Sequence, residues 1–154
     1  MMSILCFDTS ALAKRYMPET GTTWVRKQTA RSAGNDVVIA QITPIELYSA
    51  IARQYHDSQI DLIRLQAFRS LFMRHVQNQY LVLSLSSAMI TRALSLHETY
   101  RLRAYASIQL ASALELNTRL AATSQTLTFV AADLRLLQSA AYAGLQTDNP
   151  DNYL

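Results

Sequence analysis

Three acidic residues lie where their carboxylates could act together. Asp8 directly follows an apolar run at 4–7, Asp133 ends an apolar run at 127–133, and Glu46 lies in the helix turn after a third run at 37–40. Carboxylates that converge in a crevice repel one another, so either their pKa values rise or a cation lies among them. Oxygen ligands without His or Cys favour Mg²⁺ or Mn²⁺, which can activate a water and stabilise charge on a phosphodiester. The three acids therefore predict phosphodiester hydrolysis.

Each acid also has a purely structural explanation. Asp8 could be a helix N-cap or an Asx-turn residue, and Asp133 could cap the helix that follows it. The segment from Thr43 to Glu46 fits a capping box, in which the Glu46 carboxylate bonds back to the Thr43 amide. The catalytic interpretation gains weight because the carboxyl ends of parallel strands gather at one edge of a sheet.

Buried strands that alternate with helices predict the framework for these acids. We expect strands at 4–7, 37–40, 80–85 and 127–133, with a short edge strand at 145–147. Helices should follow from about residue 10 with Thr9 or Ser10 as N-cap, and from Thr43 as N-cap. A long amphipathic helix should span 59–76, and another should begin with Ser86 or Ser87 as its N-cap. This order predicts one α/β domain over residues 1–154, a three-layer α/β/α arrangement around a parallel sheet of four or five strands.

Composition sets limits on the class of protein. Half of the 154 residues are hydrophobic and 16% are charged, which is typical of a compact domain. The formal charge is +3, and twelve of the fourteen basic residues are arginine. Arginine binds phosphate well, but solvated helix faces or GC-rich coding explain this excess equally well. A single cysteine, Cys6, and the lack of a signal peptide or a membrane-length apolar run predict a cytoplasmic protein.

Four segments carry a resemblance to a known family. The segments ILCFDTSALAKRY, ITPIELYSAIAR, LRAYASIQLASALEL and TFVAADLRLLQSA resemble, in order, the four signature blocks of the PIN domain, and in particular those of VapC-type toxins of bacterial toxin–antitoxin pairs. The resemblance implies a Mg²⁺- or Mn²⁺-dependent endoribonuclease that forms a homodimer. It also implies a small antitoxin whose tail blocks the acidic pocket.

The resemblance assigns roles to four residues. Asp8, Glu46 and Asp133 match family carboxylates that hold the metal, and Glu46 could also orient the attacking water. Ser10 matches the small hydroxyl that follows the first acid by two residues, where it can hold that carboxylate or a metal-bound water. These four positions are the catalytic set that the resemblance implies.

The third block departs from the family pattern. Relatives read RAYDA there, whereas this chain reads RAYASIQLA, so Ala106 stands where an aspartate is expected. Alanine cannot ligate a metal, and Ser107 should point about 100° away on the helix. Two origins fit Ala106: natural loss in a degenerate member, or deliberate replacement to silence a toxic enzyme. In both cases we expect activity below that of an Ala106→Asp variant.

Two other functions remain open at this point. One is a non-catalytic PIN domain that binds RNA or protein, and the other is a nuclease that acts on DNA. His97 could lie near the substrate, although a lone histidine seldom marks a site, and we expect His56 and His75 at the surface. Several basic residues near the acidic blocks could bracket an RNA backbone, but solvated faces explain them equally well: Lys14, Arg15, Arg101, Arg103 and Arg135.

Overall fold

Strands and helices alternate along almost the whole chain. The computed structural model describes residues 2–154. Its strands are β1 (Ile4–Phe7), β2 (Asp36–Ala40), β3 (Tyr80–Leu83), β4 (Thr128–Val130) and β5 (Gln146–Asp148). Its α-helices are α1 (Thr9–Tyr16), α2 (Thr22–Thr29), α3 (Thr43–His56), α4 (Leu62–Asn78), α5 (Ser87–Thr99), α6 (Ala104–Ala121) and α7 (Leu134–Tyr142). Short 3₁₀ turns cover Arg31–Ala33 and Pro150–Asn152.

The five strands form one parallel sheet in the order β3-β2-β1-β4-β5. This confirms the predicted α/β class, including the short edge strand near residue 146. The chain leaves the central strand β1 toward β2 on one side and later returns to β4 on the other. The strand order therefore reverses beside β1, and ligand sites of open parallel sheets lie at that point, outside the carboxyl ends of the strands.

Side chains on alternate positions of the sheet build two cores. In β1, Leu5 and Phe7 enter the core that α1 to α4 cover, whereas Cys6 enters the core beneath α5 to α7. In β4, Val130 enters the core that α1 to α4 cover, and Phe129 enters the core beneath α5 to α7. Because successive side chains of a strand point to opposite faces, this division gives the three layers that the sequence predicts.

Two of the predicted helix caps differ from the structure, and a third is confirmed. Helix α1 begins at Thr9 with Asp8 as its N-cap, so the expectation that Thr9 or Ser10 caps it is wrong. Helix α3 begins at Thr43, and its N-cap is Ile42, which makes no side-chain capping bond. The Thr43 hydroxyl is fully buried and takes part in a tertiary contact instead. The prediction of Ser86 as a cap is confirmed, since its Oγ accepts from the Met89 amide at 3.2 Å.

Helix α4 is displaced from its predicted span. It starts at Leu62 rather than near residue 59, because the Asp61 carboxylate caps it by accepting from the Arg64 amide at 2.8 Å. Its apolar stripe is only partly buried: Leu65 lies in the core, while Ile63 is 75% exposed. Within residues 2–154, no helix has the length and hydropathy needed to cross a membrane.

Candidate active site at the carboxyl edge of the sheet

A cavity of about 480 Å³ opens at the carboxyl edge of the sheet. The loops and helix starts that follow β1, β2 and β4 contribute to its lining, and so does the first turn of α6. The structure brings all four residues of the predicted catalytic set to this cavity, and Ala106 lines it as well: Asp8, Ser10, Glu46, Ala106 and Asp133. Residues from four separate parts of the sequence thus share one site.

Ser10 connects the ends of the two central strands. Its hydroxyl lies 2.8 Å from each carboxylate oxygen of Asp8, to which it donates. The Ser10 hydroxyl oxygen in turn accepts hydrogen bonds from the backbone N–H groups of Ala132 and Asp133, at 3.0 and 3.2 Å. Since these bonds use the hydroxyl proton and both lone pairs, Ser10 fixes Asp8 against the loop that carries Asp133.

Asp8 is a buried carboxyl group. The residue is 4% exposed, and its Oδ1 also accepts the Ala11 amide at 2.9 Å, as an N-cap. Burial raises the pKa of Asp8 to about 7; the hydrogen bonds from Ala11 and Ser10 oppose the shift, and the charge of Asp133 adds to it. Burial, and secondarily the charge of Asp8, raises the pKa of the Cys6 thiol to about 12, so Cys6 is an inert core residue.

Glu46 is held from outside its own helix. Its Oε1 accepts the Thr9 hydroxyl at 2.9 Å and the Gln109 amide at 2.9 Å. The capping-box alternative is therefore wrong in this structure, because partners 37 and 63 residues away replace the Thr43 amide. Two donors on Oε1 fix the carboxylate in place beside the cavity.

Gln109 is a site residue that the sequence analysis missed. It is 3% exposed, and its Nε2 also reaches the Thr43 hydroxyl at 2.8 Å and the Thr9 hydroxyl at 3.1 Å. This one amide links α1, α3 and α6 beneath Glu46. A signal was present in the sequence: Gln109 is a polar residue on a mostly apolar helix, three positions after Ala106, so it shares that residue's face.

The metal-binding capacity of this site is incomplete. Asp133 is exposed, Glu46 half-buried and Asp8 buried, and their oxygens are the donors that a hard divalent ion prefers. Across residues 2–154, however, no three acidic, His or Cys side chains gather closely enough to hold an ion. Ala106 supplies only a methyl group to the cavity wall. Ser107 offers no substitute, because its buried hydroxyl donates to the Ala104 carbonyl at 2.6 Å.

Several of the other singled-out basic and histidine residues have structural roles. Lys14 is buried and pairs with Glu19 at 3.1 Å and Asp151 at 2.7 Å, so it is not available to RNA. Arg15 donates to the Tyr80 hydroxyl at 2.7 Å. Neither these residues nor the histidines line the cavity.

The histidines divide between surface and interior. His56 is exposed, as expected. His75 is not a simple surface residue, since its Nδ1 lies 2.7 Å from the Tyr16 hydroxyl and partial burial lowers its pKa to about 4. The Nε2 of His97 lies 2.9 Å from the Ser107 hydroxyl, away from the cavity. Of the arginines, Arg103 lines the cavity, and so does Arg53, which the sequence analysis did not single out.

Comparisons with known proteins agree with this architecture. A family model described as PIN domain matches residues 5–127. No curated protein matches the sequence. Among solved structures, FitAcB from Neisseria gonorrhoeae is 14% identical with a TM-score of 0.62, covering 95% of this chain and 97% of that chain. A toxin–antitoxin complex from Klebsiella pneumoniae is 20% identical with a TM-score of 0.60 and the same coverage.

A third solved structure extends the comparison. VapBC2 from Rickettsia felis, bound to a DNA fragment from its promoter, is 13% identical with a TM-score of 0.58, covering 95% of this chain and 98% of that chain. At these identities the likeness establishes a shared fold, and the site must be argued from its own residues.

Proposed function

This chain belongs to the PIN domain family, and from that membership we propose that it is built as a divalent-metal-dependent endoribonuclease, the toxin of a VapBC-type toxin–antitoxin pair, with activity lowered or lost through Ala106. The observation that carries the proposal is the shared cavity: Asp8, Glu46 and Asp133 line it together with Ala106. The site thus holds three acids and one apolar gap.

The residues of this chain suit the chemistry of a hard metal ion. Asp8 and Asp133 would hold Mg²⁺ or Mn²⁺, with Glu46 as a further ligand or as the group that orients the attacking water. The ion supplies charge stabilisation and an acidified water when it is bound. Ser10 keeps Asp8 in position, and Thr9 and Gln109 hold Glu46. Burial raises the pKa of Asp8, so a cation bound beside it would favour its charged form.

An alternative function is a non-catalytic PIN domain that binds RNA or a protein partner. The observation that favours it is Ala106, because loss of one acidic ligand lowers metal affinity and misplaces the attacking water. The fold and the cavity would remain intact in such a protein. The experiment described below distinguishes this function from the nuclease.

A surface groove next to the cavity supports an antitoxin partner. A groove of about 430 Å³ between α3 and α4 has a largely apolar lining that includes Tyr48, Phe72 and Met73, and it shares Ile45 and Ser49 with the cavity. We propose that an apolar side chain of the antitoxin lies in this groove while its tail extends into the acidic cavity. The continuity of groove and cavity would let one short segment block the site.

Homodimer formation is also part of the proposal. Strand β3 lies at an edge of the sheet, and apolar side chains of β3 and α5 are exposed beside it. Such a surface is typical of an interface between subunits. The exposed residues are Leu81, Val82, Ile90 and Leu94.

A cytoplasmic location is consistent with the buried free thiol of Cys6.

The experiment that tests the nuclease proposal compares RNA cleavage by this chain and by Ala106→Asp. Both are incubated with Mg²⁺ or Mn²⁺, and with chelator, on a mixed panel of RNAs. We expect the restored carboxylate to raise metal-dependent cleavage by about 10- to 100-fold or more, because loss of residues that only support metal ligands already lowers activity by that range. Chelator should abolish it.

Two control variants separate charge and position from size. Ala106→Asn fills the same space without a charge and should remain as inactive as the native chain. Ala104→Asp adds a carboxylate two residues earlier, at an exposed position outside the cavity, and should have no effect. Equal cleavage by native and Ala106→Asp chains would refute the weakened-ligand idea. If no form cleaves RNA, the nuclease proposal is rejected in favour of the non-catalytic PIN domain that binds RNA or protein.

A further inference from the structure

Two arginines share the cavity with the three acids. Arg53 lies on α3, seven residues after Glu46, and Arg103 immediately precedes α6, three residues before Ala106. Both line the cavity, and both are exposed. These spacings place Arg53 on the same helical face as Glu46, and Arg103 on the same side of α6 as Ala106. The cavity is therefore acidic at the strand ends and basic on two of its walls.

The arginines do not serve to neutralise those acids. Within residues 2–154, ion pairs form only at Lys14 and Arg92, so neither Arg53 nor Arg103 approaches a carboxylate within 4 Å. The one side-chain bond of Arg53 goes to the Ser49 hydroxyl at 3.5 Å, a long contact on its own helix. Arg103 makes no capping bond to α6. Both guanidinium groups are free to bind an anion from solution.

An unpaired nucleotide fits the remaining features of the cavity. Tyr105 is 61% exposed while it lines the cavity that Arg103 also lines, so part of its side chain lies at the mouth. Ile45, also largely exposed, adds apolar surface at the same mouth. Exposed aromatic rings beside arginines are the usual platform for bases of single strands, whereas a paired base cannot present its face to them. A volume of about 480 Å³ is adequate for a ligand of nucleotide size.

We propose that Arg53 and Arg103 bind the phosphates that flank the one at the acidic centre, and that Tyr105 stacks on an unpaired base beside it. This deepens the proposed function, on which it rests, by assigning three residues that position single-stranded RNA. Guanidinium groups bind phosphate through paired hydrogen bonds and also offset the repulsion between a polyanion and three carboxylates. The arginines thus make an acidic cavity accessible to RNA.

The test measures binding rather than cleavage. A short, fluorescein-labelled single-stranded RNA of mixed sequence is titrated with the native chain in metal-free buffer, and anisotropy is read between about 50 and 200 mM salt. Arg53→Ala and Arg103→Ala should each weaken binding about 10-fold, and each should reduce the slope of log affinity against log salt by about 0.7. Arg119→Ala, at the far end of α6 and outside the cavity, is the matched control and should change neither quantity.

Conservative variants separate the roles further. Arg103→Lys should keep the salt slope but lose part of the affinity, because lysine retains the charge without the paired bonds. Tyr105→Ala should weaken binding about 5-fold or more at an unchanged slope, and Tyr105→Phe should bind like the native chain. A duplex RNA of the same sequence should bind more weakly than the single strand.

Several results would overturn this assignment. If both arginine variants match Arg119→Ala in affinity and slope, the arginines do not contact phosphate. If a hexaglutamate peptide competes as strongly as the RNA and depends on the same arginines, they belong to an acidic protein partner instead. The nuclease proposal is tested separately, since binding by the Ala106 chain requires no cleavage. Arginine-dependent binding combined with an inactive Ala106→Asp variant would retain this inference and reject the nuclease.

Discussion

Replacement of Asp8 by asparagine should change how the stability of the protein depends on pH. Asparagine keeps the size of the side chain and is itself a good N-cap, so the start of α1 is preserved. The substitution removes a carboxyl group that can gain or lose a proton and that is only 4% exposed. The prediction concerns the metal-free protein, in which no cation compensates a buried negative charge.

The sign and size of the effect follow from the raised pKa. Burial moves the Asp8 pKa from 3.8 to about 7, so between these values the folded state holds a proton that the unfolded state has released. The contribution of Asp8 to stability is therefore complete below pH 4, declines as pH rises toward 7, and is lost above it. At about 1.4 kcal/mol per pH unit, the full loss is about 4 kcal/mol. Between pH 5 and pH 8 the loss is about 2 to 3 kcal/mol.

The assay is urea denaturation of native and Asp8→Asn chains between pH 5 and pH 8 with chelator. The free energy of unfolding of Asp8→Asn, relative to the native chain, should rise by about 2 to 3 kcal/mol over this range. Taking this difference cancels the titration of groups common to both, including His75. Asp61→Asn changes an exposed N-cap and should give a curve parallel to that of the native chain. A constant difference for Asp8→Asn would show that Asp8 is ionised in the folded protein and refute the reasoning.

Three further predictions concern the site and its support. Gln109→Leu, introduced into the Ala106→Asp chain, should lower kcat with little change in KM, and urea denaturation should show a loss of about 1–3 kcal/mol from broken buried hydrogen bonds. Addition of Mn²⁺ should raise the Tm of Ala106→Asp more at pH 8 than at pH 5.5, and the rise should vanish when Asp8 is also replaced by asparagine, because the ion binds the ionised carboxylate. Asp151→Asn should cost about 1 kcal/mol in urea denaturation, since it weakens the pairing of the buried Lys14 ammonium; the value is modest because the Asp151 side chain is 44% exposed.

The strand framework could be predicted because it depends on local signals. Short β-branched and apolar runs bounded by polar residues identify buried strands, and the rules for parallel sheets then place Asp8 and Asp133 at one edge. The N-cap alternative for both acids is confirmed as well, since each accepts an amide N–H of its own helix. For these residues the structural role and the position in the cavity coexist, so they were never exclusive alternatives.

Several failures of sequence reasoning involve partners distant in the chain. Threonine is a common helix N-cap, but the Thr43 hydroxyl accepts a hydrogen bond from Gln109, 66 residues away. Lys14 reads as a solvated or RNA-binding lysine, but Asp151 pairs with it across the fold. Such contacts cannot be predicted from local residue preferences, because the folded structure determines which hydrogen-bond partner lies next to a buried polar group. Gln109 escaped notice for the same reason.

The bonds of Ser10 to the amides of Ala132 and Asp133 have a consequence for the order of synthesis. Ser10 leaves the ribosome before Ala132 and Asp133, which are made more than 120 residues later. A nascent chain that ends before β4 therefore contains two of the three acids but neither the pairing of β1 with β4 nor the bonds of Ser10 that link Asp8 to the loop carrying Asp133. The acidic cavity is completed only late in translation, so ribosome-bound fragments of this protein should lack its binding site.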